Sequence, residues 1–355
     1  MSASASTTRT PSLVRLSFRY STYHRRLAEY IAGFTLVETI WFAFAGYTMR
    51  NVPIVTNGSS SYANLQKCVG STCTGFFRMP SVYVGPITNL FIYLLPAVCA
   101  LVFVAPSLAR EFDTKSVRFS WTQCVTRNQW LASRLLPGLF GALLISIVGE
   151  IEASRWIFPH NYPFTYNPWG MFPFRGAAPV GIAVLLVAFS VVSSILLKRP
   201  LLAVLVSALA YGAIAFGVSA TEPGLLPPKT IITASNWGNE SNPVQPYPQG
   251  VQIVAVTIVT KNGVPISNSF LNHAINSCSA RASHLQNKSL ATSPANTFNQ
   301  QAFSSCVSAY HFYNKFSYQP ISRFWELQWI YAAMTGAVAL VLVWSSFWLV
   351  KRVEP

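Results

Sequence analysis

The densest collection of residues able to do chemistry is one short stretch, LAREFDTKSVRFSWTQCVTRNQWLASRL, residues 108–135. It holds five basic residues, two acids, two tryptophans and a run of Thr and Gln, and it lies between two strongly apolar segments. Ser120 is followed three residues later by Gln123, and Thr126 by Gln129. Each pair has the form of a capping box, in which side chain and backbone satisfy each other at a helix start. The first would open a short helix carrying Trp121, Cys124 and Val125, and the second the apolar segment that follows. A capped helix of one to two turns, flanked by Arg118 and Arg127, is a rigid protrusion able to lodge in a partner's groove and push its neighbours. The same residues also suit an interfacial turn anchored by Trp121 and Trp130 among lipid headgroups. Local pattern leaves both readings open.

Glu38 is the other chemical feature, an acid at about mid-depth in an apolar segment. A lone carboxylate there costs roughly 2.5–3.5 kcal/mol on insertion scales, so it should face the protein interior or a wet cavity. It would either contact a substrate or make an interhelical hydrogen bond as the protonated acid. Glu150 and Glu152 lie nearer the outer boundary, where reaching toward water or pairing with Arg155 is expected; Glu150 is kept with Glu38 as a candidate for lining a path. His160, His273, His284 and His311 are scattered without ligand spacing. No Gly-x-x-x-x-Gly-Lys-Ser/Thr occurs, so the chain has no P-loop for ATP, and neither His-Glu-x-x-His, Cys-x-x-Cys nor Gly-x-Ser-x-Gly is present.

The elements that must position these residues are membrane spans. Of 355 residues, 52% are hydrophobic and 10% charged, against roughly 25% charged in soluble domains. Six apolar runs approach the ~20 residues that cross the hydrocarbon layer: residues 28–49, 86–109, 131–151, 177–197, 201–220 and 324–350. Pro96 and Pro106 should kink the second, and the fourth and fifth form a hairpin broken only by Lys198, Arg199 and Pro200. The net charge of +15 could suggest nucleic acid, but fourteen of the 25 Lys and Arg fall in segments 1–27, 110–134, 198–200 and 351–355. That bias places both termini in the cytoplasm and is a topological signal, not a nucleic-acid footprint.

The chain therefore reads as an all-α polytopic membrane protein of six transmembrane helices, with a roughly 100-residue extracytoplasmic α/β insertion, residues 221–322, before the last helix. A cytoplasmic tail and interfacial helix occupy 1–27, spans one to five 28–220, the sixth span 323–350 and a short tail 351–355. Leu13, Leu16, Tyr20, Tyr23 and Leu27 would form the apolar side of the interfacial helix, with Arg15, Arg19 and Arg26 opposite; an organellar transit peptide has similar composition. In the insertion, VQIVAVTIVTKNGVPISN reads as β with a hairpin signal at 261–263, whereas LNHAINSC and NQQAFSSCVSAYHFY read as short helices. Cys68 and Cys73 fall in the first outward loop, and Cys278 and Cys306 in the last. Disulfides suit an oxidising exterior, although four cysteines allow three pairings and buried free thiols remain open. Asn57, Asn239 and Asn287 head outward Asn-x-Ser sequons.

The 108–135 stretch resembles the cytoplasmic loop of a family of mostly actinobacterial ABC exporter permeases of the type-2 superfamily. The resemblance rests on Ala109, Arg110, Glu111, Thr114, Trp121, Thr122, Gln123, Val125, Thr126, Arg127, Trp130 and Leu131. YQPISRFWELQWI, residues 318–330, is similar to the family's approach to its last span, and GAAPVGIA to the start of its fourth. Lys115-Ser116 departs from the Gly-Thr that the family often has. Membership would imply a transmembrane subunit with no ATPase site or cofactor of its own, ATP and Mg being held by separate ATP-binding subunits. Two permease subunits, identical or related, would assemble with these in a bacterial plasma membrane. Residues 110–130, with Glu111, Arg118, Trp121, Thr122, Gln123, Thr126, Arg127 and Trp130, would transmit ATP-driven closure to the spans. Two other classes compete: a membrane-anchored enzyme or sensor working through its outer domain, and an ion-coupled carrier using Glu38. The second would want paired intramembrane charges or broken helices in corresponding halves.

Overall fold

A computed structural model describes residues 21–50, 79–117, 121, 126–157, 168–234, 250–289 and 300–352. Six of its helices are long and apolar enough to cross a membrane, and the chain divides into two units, one of residues 1–220 with 325–355 and one of residues 221–324.

In the first unit, α1 (Ser21–Arg50) is a single helix running into the first span. The second span is interrupted as its prolines require. α2 (Met79–Val98) passes into a π-helical segment, Cys99–Val104, and then into α3 (Ala105–Asp113). Pro106 cannot donate to the preceding turn and its ring crowds the carbonyl four residues back. The wider π geometry just ahead of it relieves that clash, and the Ala105 N–H reaches the Ala100 carbonyl instead. α4 (Arg127–Glu152) continues as a π turn, Ala153–Ile157. This third span is longer than expected at both ends: the Thr126 cap starts it early, and Glu150 and Glu152 lie inside it and not at its limit.

α5 (Ala178–Leu197) and α6 (Pro200–Thr221) form the expected hairpin, turning at Lys198 with φ 54°. The most apolar window in α5 is 61% buried, against 17% for the fifth span and 22% for the first and sixth. The fourth span is thus the centre of the bundle. Close helix approach without a hydrophobic driving force requires small side chains. A Cβ on Gly181 would lie 2.9 Å from the Ala332 Cα of α9 (Phe324–Arg352). Buried Gln328 of α9 accepts a 2.7 Å hydrogen bond from the Ala178 N–H at its Oε1 and donates from Nε2 to the Phe172 carbonyl at 2.9 Å. The first of these satisfies a donor that the start of α5 would otherwise leave bare.

The second unit carries a three-stranded antiparallel sheet in the order β1 (Lys229–Ala234), β3 (Tyr313–Gln319), β2 (Gln252–Val259). β3 is last in the chain yet central, pairing Phe316 with both Ile231 and Val256. The hairpin expected at 261–263 forms but is short, with the Thr260 N–H donating to Val264 and the Ile266 N–H to Ile258. Gly263, at φ 79°, closes it by donating to Thr260, and one bridge, Val259 to Pro265, follows. Pro265 has no N–H to extend a ladder, so β2 takes its main partner from far along the chain. α7 (Asn268–Ser289) is much longer than LNHAINSC suggested, and α8 (Gln300–Ser308) is short. The Cys278–Cys306 disulfide joins them. Gln319, at the end of β3, donates from Nε2 to the carbonyls of Pro223 and Leu226, while Arg323 donates to Gln319 and to the Pro227 carbonyl. Cys68, Cys73 and Cys124, the segment 1–20 and the sequons at Asn57 and Asn239 lie outside the described residues.

Gln328→Leu leaves the Ala178 N–H and the Phe172 carbonyl bare at a cost of about 1–3 kcal/mol for each buried group. Thermal unfolding in detergent should show a lowered midpoint for this variant and an unchanged one for Glu326→Gln, whose parent side chain is exposed on the same helix.

Candidate functional site

The loop between the second and third spans is organised from its two ends. α3 ends in a tight turn in which the Thr114 hydroxyl donates to the Arg110 carbonyl at 2.9 Å and the Ser116 hydroxyl to the Glu111 carbonyl at 3.2 Å. Lys115, between them, has φ 56°. This is the left-handed conformation that glycine adopts freely and other residues only at a cost. The turn survives with lysine because its hydroxyl neighbours hold it.

At the other end the expected capping box is present: the Thr126 hydroxyl accepts from the Gln129 N–H at 3.3 Å, and the Gln129 Oε1 from the Thr126 N–H at 3.2 Å. That cap aims the first turn of α4. Arg127 lies with its guanidinium carbon 4.6 Å from the centre of the Trp121 ring, a cation–π contact. Its Nη1 also donates to the Lys351 carbonyl at 2.8 Å, and the last carbonyls of a helix such as α9 have no partner within the helix. Trp130 is buried beneath, packed edge-on against Trp121 at 6.0 Å and Phe112 at 5.6 Å. Glu111 pairs with Arg134 at 2.7 Å, tying α3 to α4.

Of the loop residues expected to act together, Glu111, Trp121, Thr126, Arg127 and Trp130 are thus joined in one network. Arg118, Thr122 and Gln123, with the box that Ser120 would open, lie outside the described residues. Phe112, Arg134 and Lys351 were not expected. The spacing of Arg134 from Glu111 gives no helical signal because a turn intervenes, and Lys351 is more than two hundred residues away.

Glu38 is buried at 1% exposure, and neither of its oxygens has a hydrogen-bond partner among the described residues. The interhelical hydrogen bond considered for it is therefore not formed there. Its carboxylate abuts Gly149 so closely that a Cβ at that position would clash with Oε1 and with Leu95. Glu152 is its electrostatic neighbour, and of the same sign. Beside them a cavity of about 10 Å³ is lined by Phe42, Ser146, Gly149 and Glu150, room for about one water. Ser146 is buried there with no partner for its hydroxyl among the described residues. Glu150 differs from the expectation. It accepts from the Ser154 hydroxyl at 2.9 Å and from the Gly176 N–H, and its charge faces Arg175. Arg155 is exposed and is not its partner in these contacts. The turn that carries Arg175 and Gly176 back to α4 could not be placed from sequence.

Among the described residues no group of His, Cys, Asp and Glu is arranged to hold a metal. Cys278 and Cys306 are bonded to each other, and buried Cys99 donates to the Gly138 carbonyl at 3.2 Å. Relief of the left-handed strain makes Lys115→Gly stabilising by about 1 kcal/mol. The unfolding midpoint should rise for Lys115→Gly and fall for Lys115→Val, whose branched side chain resists that conformation.

Residues 32–221 match the family described as ABC-2 membrane transporter related. No curated protein and no solved structure matches the chain. The match spans the first five membrane helices and the whole loop network up to Arg134, and it covers more than half of the sequence. With six membrane-capable helices and that match, the chain belongs to the ABC-2 membrane transporter related family, whose members are transmembrane permease subunits.

Proposed function

We propose that the chain is the path-forming subunit of an ATP-driven exporter and couples to a separate ATP-binding subunit through residues 110–130. The observation that carries this reading is the double engagement of Arg127. It covers Trp121 on the loop and holds the Lys351 carbonyl at the end of the sixth span. A push on the loop therefore reaches the third and sixth spans together, while Glu111–Arg134 carries it to the second. Thr126 and Asn128 stay exposed and offer contact to a partner. Arg118, Thr122 and Gln123 complete the proposed contact surface.

Two permease subunits, the same or related, would face two ATP-binding subunits that hold ATP and Mg. The excess of Lys and Arg in the loop and at the ends puts these on the cytoplasmic side and the second unit outside, in a bacterial plasma membrane. Glu38 and Glu150 would line the path. An intramembrane acid with no partner is tolerated where it is protonated or meets water, and such residues mark substrate or ion pathways. Glu38 meets that description better than Glu150, which Ser154, Gly176 and Arg175 already satisfy.

In the assembled complex, Trp121→Ala with Arg127→Ala should abolish substrate-stimulated ATP hydrolysis while the chain still inserts; unchanged stimulation would refute coupling through this network. Glu38→Gln keeps the shape and removes the charge, so it should change export at normal protein levels. Loss of the protein from the membrane with no change in transport per molecule would instead mark Glu38 as purely structural.

A further inference from the structure

The second unit contains a cavity that the permease reading leaves unused. Its volume is about 830 Å³, and Lys261, Phe270, Tyr310, His311, Phe312 and Tyr313 are among its lining residues. Sites for small organic molecules typically measure about 300–1,000 Å³.

Every wall of it is fixed by local structure. The turn closed by Gly263 presents Lys261. The Ser267 hydroxyl accepts from the Phe270 N–H at 3.4 Å and so sets the first turn of α7. The disulfide fixes α8 against α7, and α8 ends in a turn in which the Tyr310 N–H donates to Val307 and the His311 N–H to Ser308. His311 lies there at φ 51°, in the left-handed region that few residues other than glycine adopt. Tyr310 and Phe312 stack at 5.5 Å, with Phe270 edge-on to both. Phe270 and Tyr310 are nonetheless 50% and 40% exposed, so the aromatic wall is built but uncovered.

Charge selects the kind of molecule that would cover it. Residues 221–324 contain six Lys and Arg, two Glu and no Asp. Glu222 lies beside Gln252, at the end of β2 away from Lys261, and is buried. Lys261 is exposed at the rim of the aromatic wall. An ammonium beside stacked rings complements an anion joined to an apolar body, which can fill the wall while its charge stays at the wet rim.

We propose that this cavity binds a small anionic amphiphile, its apolar body against Phe270, Tyr310 and Phe312 and its carboxylate, sulfonate or phosphate on Lys261. A soluble metabolite and a lipid headgroup share that chemistry. The test uses the full chain in phosphatidylcholine nanodiscs with naphthalene-2-sulfonate as probe, measured by equilibrium dialysis against empty discs. Saturable binding of about one probe per chain is expected, weakened about tenfold, or 1.4 kcal/mol, by Lys261→Glu and also reduced by Phe270→Ala. Lys315→Glu, a charge change outside the cavity lining, should leave it unchanged, and the cationic analogue naphthalen-2-ylmethylammonium should not bind. Absence of saturable binding above the empty discs overturns the proposal. So does equal affinity in Lys261→Glu, or preference for the cation. Repeating the titration in discs containing phosphatidylglycerol separates the sources: loss of probe binding there assigns the site to a lipid headgroup, and retention to a soluble anion. None of these outcomes depends on an ATP-binding subunit, so they leave the permease reading to its own test.

Discussion

A single guanidinium connects parts of the first unit that the sequence keeps far apart. Arg127 heads α4, covers Trp121 and holds the Lys351 carbonyl. Lysine could supply the charge but not the planar fork that stacks on an indole while donating to an oxygen. The side chain acts as a joint because the elements around it are rigid. The Thr126–Gln129 box fixes its backbone, Trp130 packs edge-on beneath Trp121, and Glu111–Arg134 braces the helix on the other side. Coupling as proposed needs such stiffness, since a compliant loop would absorb a push before it reached the spans.

The buried polar groups fall into two kinds, and the difference bears on function. Gln328, Ser190, Ser194 and Ser207 are buried and hydrogen-bonded, and they fasten one helix or segment to another. Glu38 and Ser146 are equally buried and have no such partners among the described residues. Unsatisfied groups in a low-dielectric interior cost stability. Their setting supports the proposed path through the bundle, with Gly149 as the small residue that admits the carboxylate.

Much of the first unit was legible in the sequence because membrane insertion depends on local properties. Apolar length marked all six spans, and the Thr126 box and the Lys198–Pro200 break marked boundaries to within a few residues. What was missed depends on distant partners. The role of Gln328 requires knowing that Phe172 and Ala178 lie across from it, and the contact of Glu150 with the Gly176 N–H requires the turn that brings that residue back. β3 was overlooked for a related reason. YNKFSYQ is polar on both faces and follows a helix, so nothing local distinguishes a central strand from a connection; its two neighbours, β1 and β2, define it. The 261–263 signal did mark a chain reversal, but Pro265 has no N–H to extend the pairing, so the hairpin stays short.

The most direct measurement places a photo-crosslinking residue at exposed Asn128 in the native membrane and identifies what it captures with and without ATP. Capture of an ATP-binding subunit, with a yield that changes with nucleotide, is the result this account requires. Crosslinks to lipid alone, or a captured subunit whose yield ignores nucleotide, would contradict coupling through the Arg127 network.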